Sequence, residues 1–203
     1  LTTMEEFFKA ANDLKNKGVE NLILDLTGNA GGYLESAASL SDQFLDSGKL
    51  IVYTQGVNNP KKEYLATKEG EFEEEKLVVL IDEGSASASE IVAGAIQDND
   101  RGVIVGRRSF GKGLVQQQLE LDDGSALRLT VARYYTPTGR CIQRPYNNGQ
   151  EAYYDDLLMR LRTGELNNQD SIKFPDSLKY YTPEGKVVYG GGGIMPDIYV
   201  PID

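Results

Sequence analysis

Apolar residues follow two different spacings in the first half of the chain. Aliphatic and β-branched runs predict buried strands over residues 21–26, 49–54, 77–81 and 103–105. Between these runs, apolar residues recur every three or four positions, which predicts helices over residues 3–17, 33–45 and from 87 onward. Strand and helix thus alternate up to Ile104, and this order predicts an α/β sheet with helices packed on it.

The pattern changes after Lys112. Alternating apolar positions over 114–121 and 126–135 predict a β-hairpin closed by the turn 122–124. The segment 56–75 is polar, and its acidic run 69–75 is predicted to be a solvated loop. The remaining predictions are a helix over 151–162, an exposed irregular stretch over 167–181, and two short strands around a flexible turn within 186–200. We expect one domain over residues 1–203, with a β-hairpin-rich C-terminal part.

The segment with the most potential chemistry begins where the strand 77–81 ends. Ser87 follows that strand and opens the next helix, where unpaired N–H groups and a partial positive charge could stabilise an oxyanion. A serine nucleophile for acyl transfer fits this position. The spacing of Ser87 and Glu90 is also that of a capping box, in which the serine only caps the helix. On this segment alone, the capping interpretation is favoured.

A lysine between two glycines changes that balance. Lys112, flanked by Gly111 and Gly113, has little side-chain cover and could enter a shared site, where burial would let a lysine act as a base. The alternative is an ordinary solvated loop lysine.

Residues 106–112 also resemble a phosphate-binding loop, but Gly113 replaces the magnesium-binding Ser or Thr, and a predicted strand follows instead of a helix. A nucleotide enzyme is therefore disfavoured.

Composition limits the chemistry further. The chain contains no histidine, which excludes a Ser-His-Asp triad, a Cys-His pair and histidine-bearing zinc sites, so a serine nucleophile would need lysine as its base. The formal net charge of −10 argues against nucleic acid and anionic membranes as partners. The single cysteine, Cys141, rules out an internal disulfide. We expect no cofactor, no metal and no integral membrane segment in this chain.

A glycine-rich loop precedes the second helix. Gly31 and Gly32 would allow another group to approach backbone N–H donors closely. They could supply half of an oxyanion hole, or they could simply form a tight turn between strand and helix.

Taken together, these segments resemble the C-terminal processing peptidases, or tail-specific proteases, which use a Ser-Lys pair. The resemblance covers nearly the whole chain. It is most specific in the segments LILDL at 22–26 with the glycines 31–32, GSASASEI at 84–91, SFGKG at 109–113 followed by Val115 and Gln116, RYYTPTGR at 133–140, and GIMPD at 193–197.

The resemblance implies a crotonase/ClpP-like α/β core and a polypeptide substrate recognised at its C-terminal region. It assigns Ser87 as nucleophile, Lys112 as base and Gln116 as the residue that orients the lysine. Backbone N–H groups of Ala88 and of the Gly31–Gly32 turn would form the oxyanion hole. Thr27 and Ala30 stand where the family usually has arginine and proline.

The family's PDZ domain and the strand before this region are not in the sequence, so we expect a catalytic-core fragment whose own activity is open. The resemblance also implies an extracytoplasmic location, periplasmic or membrane-associated, and leaves oligomerisation open. Two other functions remain: a crotonase-like acyl-CoA enzyme, which would share the backbone oxyanion hole, and a non-catalytic peptide-binding or assembly module.

Overall fold

A computed structural model describes residues 2–67, 70–146 and 149–202. Its helices are α1 (Thr3–Asn16), α2 (Leu34–Ser41), α3 (Ala88–Asp98), α4 (Gly149–Tyr154) and α5 (Asp156–Arg162). Its strands are β1 (Asn21–Asp25), β2 (Leu50–Gln55), β3 (Lys62–Leu65), β4 (Lys76–Ile81), β5 (Val103–Gly106), β6 (Leu114–Glu120), β7 (Ala126–Tyr135), β8 (Lys179–Tyr181), β9 (Val187–Tyr189) and β10 (Ile198–Tyr199).

Two four-stranded sheets form the framework. The first is parallel, in the order β1-β4-β5-β10, and the second is antiparallel, in the order β3-β2-β7-β6. Strands β8 and β9 pair separately. Because the β4 and β5 strands run parallel, the turns that follow both strands lie at the same edge of the first sheet. Those turns lead to Ser87 and to Lys112.

Helix α3 lies at the centre of the molecule. It contacts α2, β5 of the parallel sheet and β2 of the antiparallel sheet, and every one of its residues is buried. Such burial on all sides explains its apolar and small-residue composition. Consequently, the N-terminus of α3, and Ser87 with it, has a fixed place between the two sheets.

The structure departs from the sequence predictions in four places. Strand β3 forms within the polar segment 56–75, where no strand was predicted. Phe72 is buried within the acidic run predicted to be a solvated loop, and Lys68 and Glu69 lie outside the described residues. The predicted helix 33–45 ends at Ser41, and the predicted helix 151–162 is divided into α4 and α5. Strand β8 lies within the stretch predicted to be irregular. Strands β3 and β8 form because they pair with β2 and β9. The two predicted helices are shortened or divided because a turn interrupts each of them.

Candidate active site

Three serines follow β4, and they differ in their contacts and burial. The hydroxyl of Ser85 donates to the Leu26 carbonyl at 2.7 Å, and that of Ser89 donates to the Asn29 carbonyl at 2.9 Å. Both side chains are buried and therefore support the glycine-rich loop. Ser87 instead lines a cleft of about 890 Å³ that also contains Lys112. The middle serine is thus the one that a substrate can reach.

The backbone of Ser87 has an unusual conformation. Its φ of 56° and ψ of −113° lie outside the regions that L-residues favour, at the N-cap of α3. Strain of this kind is concentrated at functional sites. A serine presented on a sharp turn between strand and helix is also how the nucleophile of an α/β-hydrolase is exposed. The conformation therefore supports a role for Ser87 beyond capping.

The Glu90 side chain connects Ser87 with Lys112. Its Oε2 atom accepts hydrogen bonds from the backbone N–H of Ser87 at 2.8 Å and of Lys112 at 2.9 Å. Its Oε1 atom accepts from the Ser109 hydroxyl at 2.5 Å and the Gly111 N–H at 2.6 Å. Burial raises the pKa of the Glu90 carboxyl, and these four hydrogen bonds oppose that rise. The Glu90 half of the capping box is present through the Ser87 N–H, and the same carboxylate also holds the lysine loop.

The Tyr134 hydroxyl makes a second connection. It donates to the Lys112 carbonyl at 2.6 Å and lies 3.0 Å from the Ser87 carbonyl oxygen. Burial raises the pKa of this phenol well above its ordinary value, with a smaller contribution from Glu90, so the group remains a donor at neutral pH. The N–H groups of Ser87 and Lys112 are therefore connected through Glu90, and their carbonyl groups are connected through Tyr134.

The predicted catalytic side chains line one cleft. Ser87, Lys112 and Gln116 all contribute to its wall. The Gln116 amide donates to the Thr130 hydroxyl at 3.5 Å. Within the described residues no hydrogen bond joins Ser87 to Lys112 or Lys112 to Gln116, and catalytic contacts of this kind commonly tighten only when substrate binds.

The glycine turn lies directly against the serine turn. Gly31 has a φ of +87°, and a Cβ atom placed on it would lie 2.4 Å from the Ala86 carbonyl oxygen and 2.6 Å from the Ala88 nitrogen. Only glycine fits there. The Gly31 N–H donates to the Asn29 side chain at 2.9 Å, whereas the N–H groups of Gly32 and Ala88 have no partner in the described part of the chain. Gly32 and Ala88 are thus the donors free to bind an oxyanion.

Comparison with known proteins identifies this architecture. The family model described as peptidase family S41 matches residues 1–149. The chain belongs to peptidase family S41. The predicted resemblance to C-terminal processing peptidases is therefore confirmed.

Individual S41 relatives agree with this assignment. The chain is 45% identical over 146 residues to a carboxy-terminal-processing protease of Bartonella bacilliformis, covering 70% of this chain and 33% of the relative. It is 41% identical over 140 residues to carboxyl-terminal-processing peptidase 3, a chloroplastic protein of Arabidopsis thaliana, covering 68% of this chain and 26% of the relative. The chain thus spans about a third or less of these relatives' length.

A solved S41-type structure has the same fold. The photosystem II D1 C-terminal processing protease superposes with a TM-score of 0.65 at 30% identity, over 95% of this chain and 38% of that one. The predicted fold class, a crotonase/ClpP-like mixed α/β core, is confirmed. No helix among residues 2–67, 70–146 and 149–202 is long and apolar enough to cross a membrane.

Sequence reasoning missed two residues that connect Ser87 with Lys112 in the structure. It treated Glu90 only as the partner of Ser87 in a capping box and quoted Tyr134 only as part of a family segment. Their shared contacts depend on segments distant in the sequence. A signal was present for Glu90, because this charged residue directly precedes the apolar helical run 91–96, which must be buried. Tyr134 stands between Arg133 and Tyr135, and its local sequence gives no such signal.

Proposed function

We propose that the protein is a serine endopeptidase that cleaves polypeptides near their C-termini through a Ser87–Lys112 pair. The main support is the arrangement of the cleft: a serine in a strained turn and a lysine line the same wall, and Glu90 binds the backbone N–H of both. A serine that only capped the helix would not need a lysine held in this way. Residues 1–203 would act as one catalytic domain.

In this proposal, the neutral Lys112 amine takes the proton of the Ser87 hydroxyl while the serine oxygen attacks the peptide carbonyl carbon. The carbonyl oxygen becomes negative and accepts hydrogen bonds from the N–H groups of Gly32 and Ala88. Lys112 then gives its proton to the departing amine, which leaves an acyl-enzyme on Ser87. Water releases the acyl group with the same lysine as base.

Gln116 has a supporting role in the proposal. It lies on the β6 strand, four residues after Lys112, and both residues line the cleft. Its amide oxygen can accept a hydrogen bond from the lysine amine and so orient it towards Ser87.

The proposal also places the protein outside the cytoplasm. Fractionation of cells that make the protein tests this location.

The test uses the complete gene product and an unstructured polypeptide with an apolar C-terminus. We expect cleavage by the wild type, no cleavage by Ser87→Ala, and a loss of at least about 100-fold in Lys112→Ala, because removal of a general base costs about that much. The matched controls Ser47→Ala and Lys49→Ala alter exposed residues and should leave the rate unchanged. A fluorophosphonate should label Ser87, as located by mass spectrometry.

Full activity in Lys112→Ala would exclude it as the base. Equal cleavage by the Ser87→Ala variant and the wild type would overturn the peptidase proposal. Saturable binding of an acyl-CoA would then favour the acyl-CoA enzyme, and peptide binding that does not depend on Ser87 would favour a binding module.

A further inference from the structure

We propose that Arg160 on α5 is a positioning residue for the catalytic lysine. It would act by holding the carbonyl groups of the lysine loop, defined here as residues 107–113. The role of the loop rests on the proposed function, but the contact itself can be tested separately.

The Arg160 guanidinium reaches three successive carbonyl oxygens of the loop. Its Nη1 atom donates to the carbonyls of Arg108 and Ser109, both at 2.9 Å, and its Nη2 atom donates to the Phe110 carbonyl at 3.3 Å. The Arg160 side chain is only 3% exposed. Burial, together with the nearby Arg108, lowers the pKa of Arg160 to about 10, so the side chain keeps its charge at neutral pH.

Acidic side chains hold this arginine in place. The Arg160 Nε atom lies 2.6 Å from Asp156, one turn earlier on α5, and 3.7 Å from Glu165. Glu165 also accepts two hydrogen bonds from Arg108, at 2.6 and 2.8 Å. The α5 helix and the turn after it therefore attach to the lysine loop through both a loop side chain and the loop backbone.

A continuous path of hydrogen bonds leads from Arg160 to the catalytic residues. Ser109, whose carbonyl accepts from Arg160, donates its hydroxyl to Glu90, and Glu90 accepts from the N–H groups of Ser87 and Lys112. Ser109 is fully buried, so its carbonyl would lose its hydrogen-bond partner without Arg160. The loop would then relax and move Lys112 relative to Ser87.

This support comes from outside the residues that the family model matches. The family model matches residues 1–149, whereas the α5 helix begins at Asp156. In this chain, the later segment therefore adds a rigid contact to a loop whose own glycines, Gly111 and Gly113, would otherwise leave it free to change conformation.

The test compares Arg160→Met with Arg162→Met in the complete gene product. Arg162 lies on the same helix but is exposed, and the two substitutions are chemically identical. We expect Arg160→Met to lower kcat by about 10- to 100-fold, since a misplacement of about 1 Å can cost on the order of 100-fold. KM should change by less than about twofold, because Arg160 does not line the cleft. Arg160→Lys keeps the positive charge but has fewer N–H donors than arginine, so it should retain part of the kcat that Arg160→Met loses.

Hydrogen exchange provides a readout that does not need catalysis. Amides of Ser109, Phe110, Gly111 and Lys112 are bonded in the structure, and Arg160→Met should raise their exchange selectively. If Arg160→Met does not fold, Arg160→Lys is compared with Arg162→Lys in the same way.

Unchanged kcat and unchanged exchange in Arg160→Met would overturn the positioning role. An equal rise in exchange throughout the chain, with normal kcat per folded molecule, would also overturn it, because the role would then be purely structural. A wild type without Ser87-dependent turnover would instead overturn the proposed function, and the exchange experiment would still decide whether Arg160 holds the loop.

Discussion

At the scale of single residues, the cleft depends on two buried side chains that join Ser87 to Lys112. Buried backbone N–H and carbonyl groups need partners, and turns cannot supply them to each other as paired strands do. Glu90 provides acceptors for two N–H groups, and Tyr134 provides a hydroxyl for two carbonyls. The separation of Ser87 and Lys112, the proposed nucleophile and base, is therefore set by side chains.

Replacing Tyr134 with phenylalanine removes only the hydroxyl of this connection. We expect a loss of about 1–3 kcal/mol in the free energy of unfolding, because the Lys112 carbonyl loses its donor, and a drop in kcat of about tenfold. The Ser87 carbonyl keeps the N–H groups of Glu90 and Ile91 as donors. Urea unfolding and peptide cleavage measure both. The neighbouring Tyr135 stacks on Tyr53 at 4.8 Å between ring centroids, so Tyr135→Phe is a matched control that should do little. Equal effects of the two substitutions would contradict the role of Tyr134.

Replacing Glu90 with glutamine keeps the size of the side chain but removes an acceptor. Each carboxylate oxygen faces two donors, so a glutamine would point its amide nitrogen at one of these pairs. We expect kcat to fall by about 100-fold and stability by about 1–3 kcal/mol for each unpaired donor. Glu83→Gln, at a half-buried ion pair with Arg107, serves as a control for loss of a charge. Near-normal cleavage by Glu90→Gln would show that the carboxylate is not needed.

The glycine turn offers a third substitution at this scale. Gly31→Ala would place its methyl group 2.4 Å from the Ala86 carbonyl oxygen at a φ of +87°, so the turn must move away from Ser87. We expect a loss of cleavage of at least about 100-fold, comparable to removal of an oxyanion-hole donor. Gly32→Ala keeps the N–H and meets no atom within 4 Å, so it should lose far less. Equal losses measured for the two variants would refute this geometry.

At the scale of elements, α3 is fixed at both ends. Its N-terminus carries the contacts of Ser87 and Glu90. Near its C-terminus Asp98 binds Arg140, with both side chains fully buried and 2.6 Å between Asp98 Oδ1 and Arg140 Nη2. Asp98 also accepts from the Thr138 N–H and hydroxyl. The turn after β7 is thereby attached to the helix, and β7 itself carries Tyr134 into the site.

Asp98→Ala should therefore be severely destabilising. It leaves the buried Arg140 charge unpaired, which costs about 3–5 kcal/mol, whereas the exposed pair of Lys17 and Asp13 should contribute less than about 1 kcal/mol. Urea unfolding of Asp98→Ala and Asp13→Ala measures the contrast. A combined Asp98→Ala and Arg140→Met variant should recover part of the loss. Similar stabilities of the two single variants would show that the buried pair is unimportant.

The elements also show how far the sequence alone leads. The parallel strands β1, β4 and β5 are aliphatic runs, so their local pattern predicts them, and the short spacing from β4 to Ser87 predicts a serine at a helix start. Strand β3 is a polar segment that becomes a strand only by pairing with β2. Arg160 lies about 50 residues from the carbonyls it holds, a contact that no local pattern encodes.

At the scale of the whole molecule, a phenylalanine cluster joins segments that are distant in the sequence. Phe7 of α1 packs edge-on against Phe44, after α2, and Phe72, before β4, with ring centroids 5.8 and 6.2 Å away. Phe44 and Phe72 are almost fully buried. Such large buried rings contribute much of the packing energy of a core. None of the three lines the cleft that contains Ser87 and Lys112.

This separation predicts that stability and catalysis can be changed independently. Phe44→Ala should lower the free energy of unfolding by about 3–5 kcal/mol, because it removes a buried ring and leaves a cavity. At a temperature where the variant is still folded, kcat per folded molecule should equal that of the wild type, as measured after active-site titration. Val57→Ala, at a fully exposed side chain, is the control for both quantities. Tyr134→Phe should differ from Phe44→Ala, because it should lower kcat in molecules that remain folded. A selective loss of kcat in Phe44→Ala would instead mean that the phenylalanine cluster and the cleft are coupled through α3.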